Sequence, residues 1–305
     1  MNSRSGGNGM RAFWVIMGLL AAACGACAAQ AAAQPGNAGA PAGNPGRLVR
    51  EVVYNELHEH ADHGYFHYWI ERNMPGGTSL EEQVETAAGP VTRMLQSNGL
   101  PLAGHAAALE QERLNELRDS PSKQASRRAA YRQDEERVTK VLVLLPDAFV
   151  FRDEGIEDGV QRLQFTPNPS YAAHGVETRV LHSMSGELWV DLRTKRLRRL
   201  QGHLDENVSF GFGLLGRVDK GSWFRMVRTQ VSPSDWKMEQ FELHLSGRAL
   251  LFKTLARNTS EKRGGFAAVP PRITLEQGVR MLEDSAFVRT AIASDVAPAS
   301  LVTKR

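Results

Sequence analysis

Between residues 147 and 263 the chain runs in short stretches of apolar and polar side chains joined by turns, and this pattern constrains the fold more than any other feature. A parallel pair of strands needs a crossover of about a dozen residues or more, so strands joined by short turns must pair antiparallel. GELWVDLRTKRLRRLQGHL (186–204) reads as a hairpin in which Leu188, Val190 and Leu192 alternate along one strand and Arg193-Thr194-Lys195 forms the turn. FRMVRTQVSPSDWKMEQFELHLSG reads as another, turning at Ser232-Pro233-Ser234-Asp235, and ALLFKTLARNTSEKR adds a last strand. Trp189, Trp223 and Trp236 lie in these strands, where packing in the core is expected. DEGIEDG (153–159) and TPNPSYAAHG (166–175) are turn-rich connections, and the acids of the first lack the spacing of a calcium loop.

The rest of the chain frames this meander. Leu48, Val49, Val52, Val53 and Leu57 recur at helical spacing, which predicts an amphipathic helix over 47–62 stopped by Gly64. YFHYWIERNM then reads as a strand ended by Pro75-Gly76-Gly77, followed by strand-like SLEEQVETAA and VTRMLQSNG. From His105 to Leu145 the pattern is helical, broken by Asp119-Ser120-Pro121, and a short helix begins at Thr274. The expected order is helix, three strands, two helices, seven strands, helix, with no internal repeat.

The N-terminus carries an export pattern. Arg4 and Arg11 precede the apolar run FWVIMGLLAAA, which is shorter than the roughly 20 residues a spanning helix needs. Small residues follow, so residues 1–31 are expected to be a signal peptide, cut after Ala31 in Ala29-Gln30-Ala31. A lipoprotein signal is also readable: Leu20-Ala21-Ala22-Ala23-Cys24 loosely matches a lipobox, which would lipidate Cys24 and bring the N-terminus to a membrane. The chain's two cysteines, Cys24 and Cys27, both lie here, so no disulfide can staple the domain and its core must hold it. Residues 32–46 read as a flexible linker, 47–290 as one domain and 291–305 as a loose tail. Losing Arg4 and Arg11 lowers the formal charge from +3 to +1, which gives no basis for nucleic-acid binding.

Four of the nine histidines fall in NELHEHADHGYFHYWIER (55–72). A zinc H-E-x-x-H is absent, because Asp62 stands four residues after His58. His60 and His63 share one face of the last helical turn, so a metal site using His60, His63 and His67 is conceivable. The simpler reading is imidazoles favoured by the negative end of a helix, with no metal and no cofactor.

FGFGLLG supplies Gly211, Gly213 and Gly216, a literal G-x-G-x-x-G, but strand-like sequence follows where a dinucleotide site needs a helix N-terminus. The loop is expected to bend a curved sheet, with Phe210, Phe212, Leu214 and Leu215 in the core or at the lip of a cavity. Ser120-Pro121-Ser122-Lys123 has the form S-x-x-K without its partner motifs and reads as a helix cap. No G-x-S-x-G is present, and acid pairs able to hydrolyse glycosides stay open because strand residues can converge unseen.

With a helix, a strand meander, a helical excursion and further hairpins in an exported chain, this sequence resembles the LolA/LolB-type periplasmic lipoprotein carriers. The local likeness is strongest in the 186–204 hairpin, in Leu188, Trp189, Val190, Asp191, Thr194, Leu197, Arg198 and Leu200. The resemblance implies an α+β fold: a strongly curved antiparallel sheet, an unclosed half-barrel, with helices across its concave face and an apolar pocket between. It brings no catalytic residues.

Three functions follow as expectations. The first is an exported, non-enzymatic periplasmic carrier or sensor of a lipid, an acylated protein or a similar apolar ligand. Its pocket would draw on Leu109, Leu114, Val138 and Leu142 from the helices and on Phe210, Phe212, Leu214 and Leu215 from the glycine loop. The helices of 103–145 would then cover it, turning Leu109, Leu114, Leu117, Val138, Val141 and Leu142 to the sheet and their charged faces, Glu135 included, to water. The second is a metal-dependent hydrolase built on the His58–His67 cluster. The third is a structural envelope protein that docks a protein partner.

Overall fold

The computed structural model describes residues 44–58, 64–172, 176–210, 216–249 and 253–285. The proposed signal peptide, Cys24, most of the linker and the proposed tail lie outside the described residues. Among them are five helices and thirteen strands in the order α1 (Pro45–His58), β1 (Tyr65–Met74), β2 (Gly77–Val84), β3 (Val91–Ser97), β4 (Leu100–Pro101), α2 (Gly104–Asp119), α3 (Pro121–Ala148), β5 (Phe149–Glu157), β6 (Val160–Pro167) and α4 (Val176–Leu181). The chain continues through β7 (Met184–Asp191), β8 (Arg196–Leu204), β9 (Val208–Phe210), β10 (Gly216–Val218), β11 (Trp223–Gln230), β12 (Trp236–Ala249), β13 (Lys253–Val269) and α5 (Leu275–Glu283).

The class is α+β, with an open antiparallel sheet in the strand order β4-β3-β2-β1-β13-β12-β11-β8-β7-β6-β5; β9 and β10 pair off this path, β10 against β12. Its hairpins follow the meander expected from the short turns, while the joins of β1 to β13 and of β8 to β11 are long-range. The described residues form two compact units, one drawn from 44–58, 73–76, 129–172, 176–210, 216–249 and 253–261 and the other from 64–72, 77–128 and 262–285.

In the first unit, alternation sorts β7 and most of β11 into a buried and an open face. Along β7, Met184, Gly186, Leu188 and Val190 are buried while the residues between them are not. Pairing sets Leu163, Leu188, Leu200, Met226 and Phe241 in one row across β6, β7, β8, β11 and β12. Helix α1 lays Leu48, Val49, Val52 and Val53 on this core. Bulges at Asp153/Ile156, Trp189/Val190 and Val227/Arg228 bend the strands locally. Gly186 and Gly202 pair across β7 and β8 because the core is full above them: a Cβ on Gly186 would lie 2.1 Å from the Gln201 carbonyl oxygen, and one on Gly202 2.8 Å from the Phe224 ring.

Two tryptophans expected in the core are not there. Trp236 is buried, whereas Trp189 lies on the open face between the guanidiniums of Arg162 and Arg199, 5.6 and 5.0 Å from its ring centre. Trp223 is 41% exposed and stacks on His244. Alternation decides this, since each occupies the odd parity of a strand whose even parity faces the core.

In the second unit, α5 and α2 pack on β2 and β3 through Val84, Val91, Leu114, Leu117, Ile273, Leu275, Val279 and Leu282. The α5 start is a capping box: Thr274 accepts from the Gln277 amide and the Gln277 side chain accepts from the Thr274 amide. Its far end is held by Arg93, which donates to the Leu282 carbonyl at 2.6 Å.

Candidate functional site

Helix α1 has two working faces. On the inner edge, Glu56 is almost wholly buried and accepts from Arg196 (Nε 3.1 Å, Nη2 3.0 Å), from Arg228 (Nη1 2.6 Å) and from the Leu197 amide (3.2 Å). Burial pushes the Glu56 carboxyl up, but the charges of Arg228 and Arg196 and their hydrogen bonds outweigh it and hold the group below the usual glutamate range. Arg228 also donates to the Trp236 carbonyl at 2.8 Å, so one network ties α1 to β8, β11 and β12.

The outer stripe of α1 presents Arg47, Arg50, Glu51 and Tyr54 at positions i, i+3, i+4 and i+7. With Asn55 and Lys195 they line a cleft of about 450 Å³. Lys195 ends the β7–β8 turn at φ 53°. Asp191 shapes that turn by accepting from the amide and hydroxyl of Thr194, both at 2.8 Å, and Asn55 donates to the Lys195 carbonyl at 3.2 Å. Sequence reasoning missed this cleft. The helical spacing of Arg47, Arg50 and Tyr54 was legible, but the approach of Lys195, some 140 positions along the chain, was not.

The residues expected to line the apolar site belong to different units. Val138 and Leu142 of α3 lie partly buried on the core of the first unit, together with Val141 and Leu145. Leu114 is fully buried in the second unit against α5. Leu109 corrects the expectation of a sheet-facing side chain: it is 51% exposed. Glu135 corrects it in the other direction, being buried where a water-facing charge was expected. Phe212, Leu214 and Leu215 lie outside the described residues, as does the side chain of Phe210.

Of the histidine cluster, His60 and His63 lie outside the described residues. His58 stacks on Tyr54, centroids 3.9 Å apart, with its Nδ1 2.7 Å from the Tyr54 carbonyl oxygen. His67 is buried in the second unit, and its Nε2 lies 2.6 Å from Glu82 Oε1, which also accepts from the Ser285 hydroxyl. Among the described residues no three His, Cys, Asp or Glu side chains are arranged to hold a metal ion.

No family model matches the chain, and no curated protein does. Among solved structures, a DUF1329 family protein from Desulfovibrio piger is similar over 80% of this chain and 99% of its own, at 11% identity and a TM-score of 0.29. No described helix is long and apolar enough to cross a membrane.

Proposed function

We propose that this protein is an exported carrier or sensor that binds a lipid, the acyl chain of a lipoprotein or a similar apolar ligand, and that it acts by binding without catalysis. The observation that carries this reading is the state of α3. Of its 28 residues only Glu135 and Ala148 are buried. Its apolar run Val138-Thr-Lys-Val-Leu-Val-Leu-Leu145 rests on the first unit's core with Val138, Val141, Leu142 and Leu145 only partly covered, and Val143 is 53% exposed. An apolar guest entering beside this run would complete its burial, at about 0.8 kcal/mol for each methylene removed from water. Pro146, inside the helix, lacks the amide that would bond the Leu142 carbonyl, which weakens the last turns against the sheet. The likeness of the 186–204 hairpin to the lipoprotein carriers, and the export pattern at the N-terminus, support the same reading.

Native mass spectrometry of the protein purified from cell envelopes is expected to show a co-purifying lipid, and the delipidated protein is expected to take up a fluorescent fatty acid saturably. Protein that is empty on isolation and also fails to take up the probe overturns the proposal.

A further inference from the structure

The cleft beside α1 carries a chemistry different from that of the apolar run on α3. Three cations, Arg47, Arg50 and Lys195, line it with a single carboxylate, Glu51. Lys195 makes no ion pair or hydrogen bond through its ammonium among the described residues, although it is only half exposed. The two arginines have carboxylate partners, Arg47 with Glu51 at 3.1 Å and Arg50 with Asp147 at 3.0 Å, but all four of these side chains are 41 to 68% exposed. Pairs so open to water contribute little and exchange readily for a better anion. Tyr54, 60% exposed, is held upright by its stack on His58, and its hydroxyl has no partner among the described residues.

We propose that this cleft binds a phosphate-bearing group, with Lys195 and the two guanidiniums contacting the phosphate oxygens and Tyr54 contacting the organic part. Guanidiniums one turn apart on a helix reach neighbouring oxygens of one tetrahedral anion, and an ammonium from the facing turn reaches a third. Asn55 keeps that ammonium's backbone in place by bonding the Lys195 carbonyl. A volume of about 450 Å³ exceeds what bare phosphate fills, so the cleft has room for a glycerol- or sugar-sized substituent against the tyrosine ring. A free organophosphate and the head group of an anionic phospholipid share this chemistry. The inference stands independently of the apolar-ligand reading, since it rests on the three cations lining this cleft and can be tested without any acyl chain.

The test uses the full chain at low salt. Inorganic phosphate and glycerol 3-phosphate are titrated by calorimetry, and vesicles of phosphatidylglycerol or of phosphatidylcholine are tested by co-sedimentation. Saturable binding of glycerol 3-phosphate identifies a free organophosphate as the ligand; binding to phosphatidylglycerol vesicles without it identifies a lipid head group. In either case Lys195→Asn, which tolerates the left-handed backbone at this position, is expected to weaken binding about tenfold, the scale of one charge-assisted hydrogen bond. Glu51→Gln removes the competing carboxylate and is expected to tighten binding, a change of sign that a misfolded variant cannot produce. No saturable binding to any probe, or binding that neither substitution alters, overturns the proposal.

Discussion

The carboxylate of Glu56 on α1 lies 2.6 Å from Nη1 of Arg228 on β11, and the two side chains are 10% and 3% exposed. With Arg196 on the other side, the cluster is one anion between two cations, all nearly out of water. Removing the anion leaves two guanidiniums buried with their main charge partner gone. Glu56→Gln is expected to destabilise the first unit by about 3–5 kcal/mol, the scale seen when one member of a buried pair is removed. Chemical denaturation followed by tryptophan fluorescence measures it, and a loss below about 1 kcal/mol contradicts it.

The same group sets an acid limit. Its folded pKa lies below its unfolded value, so the unfolded chain takes up its proton first as pH falls. The stability Glu56 contributes is therefore complete above the usual glutamate range, near 4.3, and drains away as pH drops from there through the depressed folded value. The midpoint of urea unfolding, measured downward from neutrality, is expected to fall in this acid window. The slope is expected to be shallower in Glu56→Gln, and identical slopes would rule the assignment out.

Glycines in the two units differ in what an added methyl group would strike. At Gly186 a Cβ meets the backbone carbonyl of Gln201 at 2.1 Å, which cannot move without breaking the β7–β8 ladder. At Gly278 on α5 it meets the Thr86 methyl at 2.7 Å, and Thr86 is itself fixed by donating to the Gly89 carbonyl at 2.6 Å. Gly278→Ala gains up to about 1 kcal/mol of helix propensity and loses about 1–3 kcal/mol to overpacking, so a small net loss is expected. Gly186→Ala is expected to cost more. Thermal unfolding of both variants checks the ranking, and the reverse order would count against the packing described.

A cover must open more easily than the wall it closes. The amides of α3 from Val138 to Leu145 are expected to exchange with solvent faster than those of the β7–β8 hairpin, because so few of the helix's side chains are buried. Added fatty acid is expected to slow the helix and leave the hairpin unchanged, since a bound chain favours the closed state. Equal protection, unmoved by lipid, would make α3 a fixed wall of the core.

Much of the architecture was written locally. Turns such as Arg193-Thr194-Lys195 and the period-two alternation of Leu188, Val190 and Leu192 forced antiparallel hairpins, and the stripe Leu48, Val49, Val52, Val53 gave α1 its inner face. The helix at Thr274 was legible because a capping box needs only four consecutive residues. These features depend on neighbours in the chain, so a single sequence contains them.

What the tertiary structure decided is where distant side chains meet. The alternation of Leu188 and Val190 marked one face of β7, but only the folded sheet shows Trp189 on the opposite, open face between Arg162 and Arg199. Nor does periodicity distinguish a helix pressed onto a core from one resting on it, which is why Leu109 is exposed and Glu135 is buried. The pairing of Glu56 with Arg196 and Arg228 and the closing of the α1 cleft by Lys195 join residues far apart in sequence. Such meetings are set by strand register and helix docking, which minimise buried polar groups over the whole unit and leave no signature in any one stretch of chain.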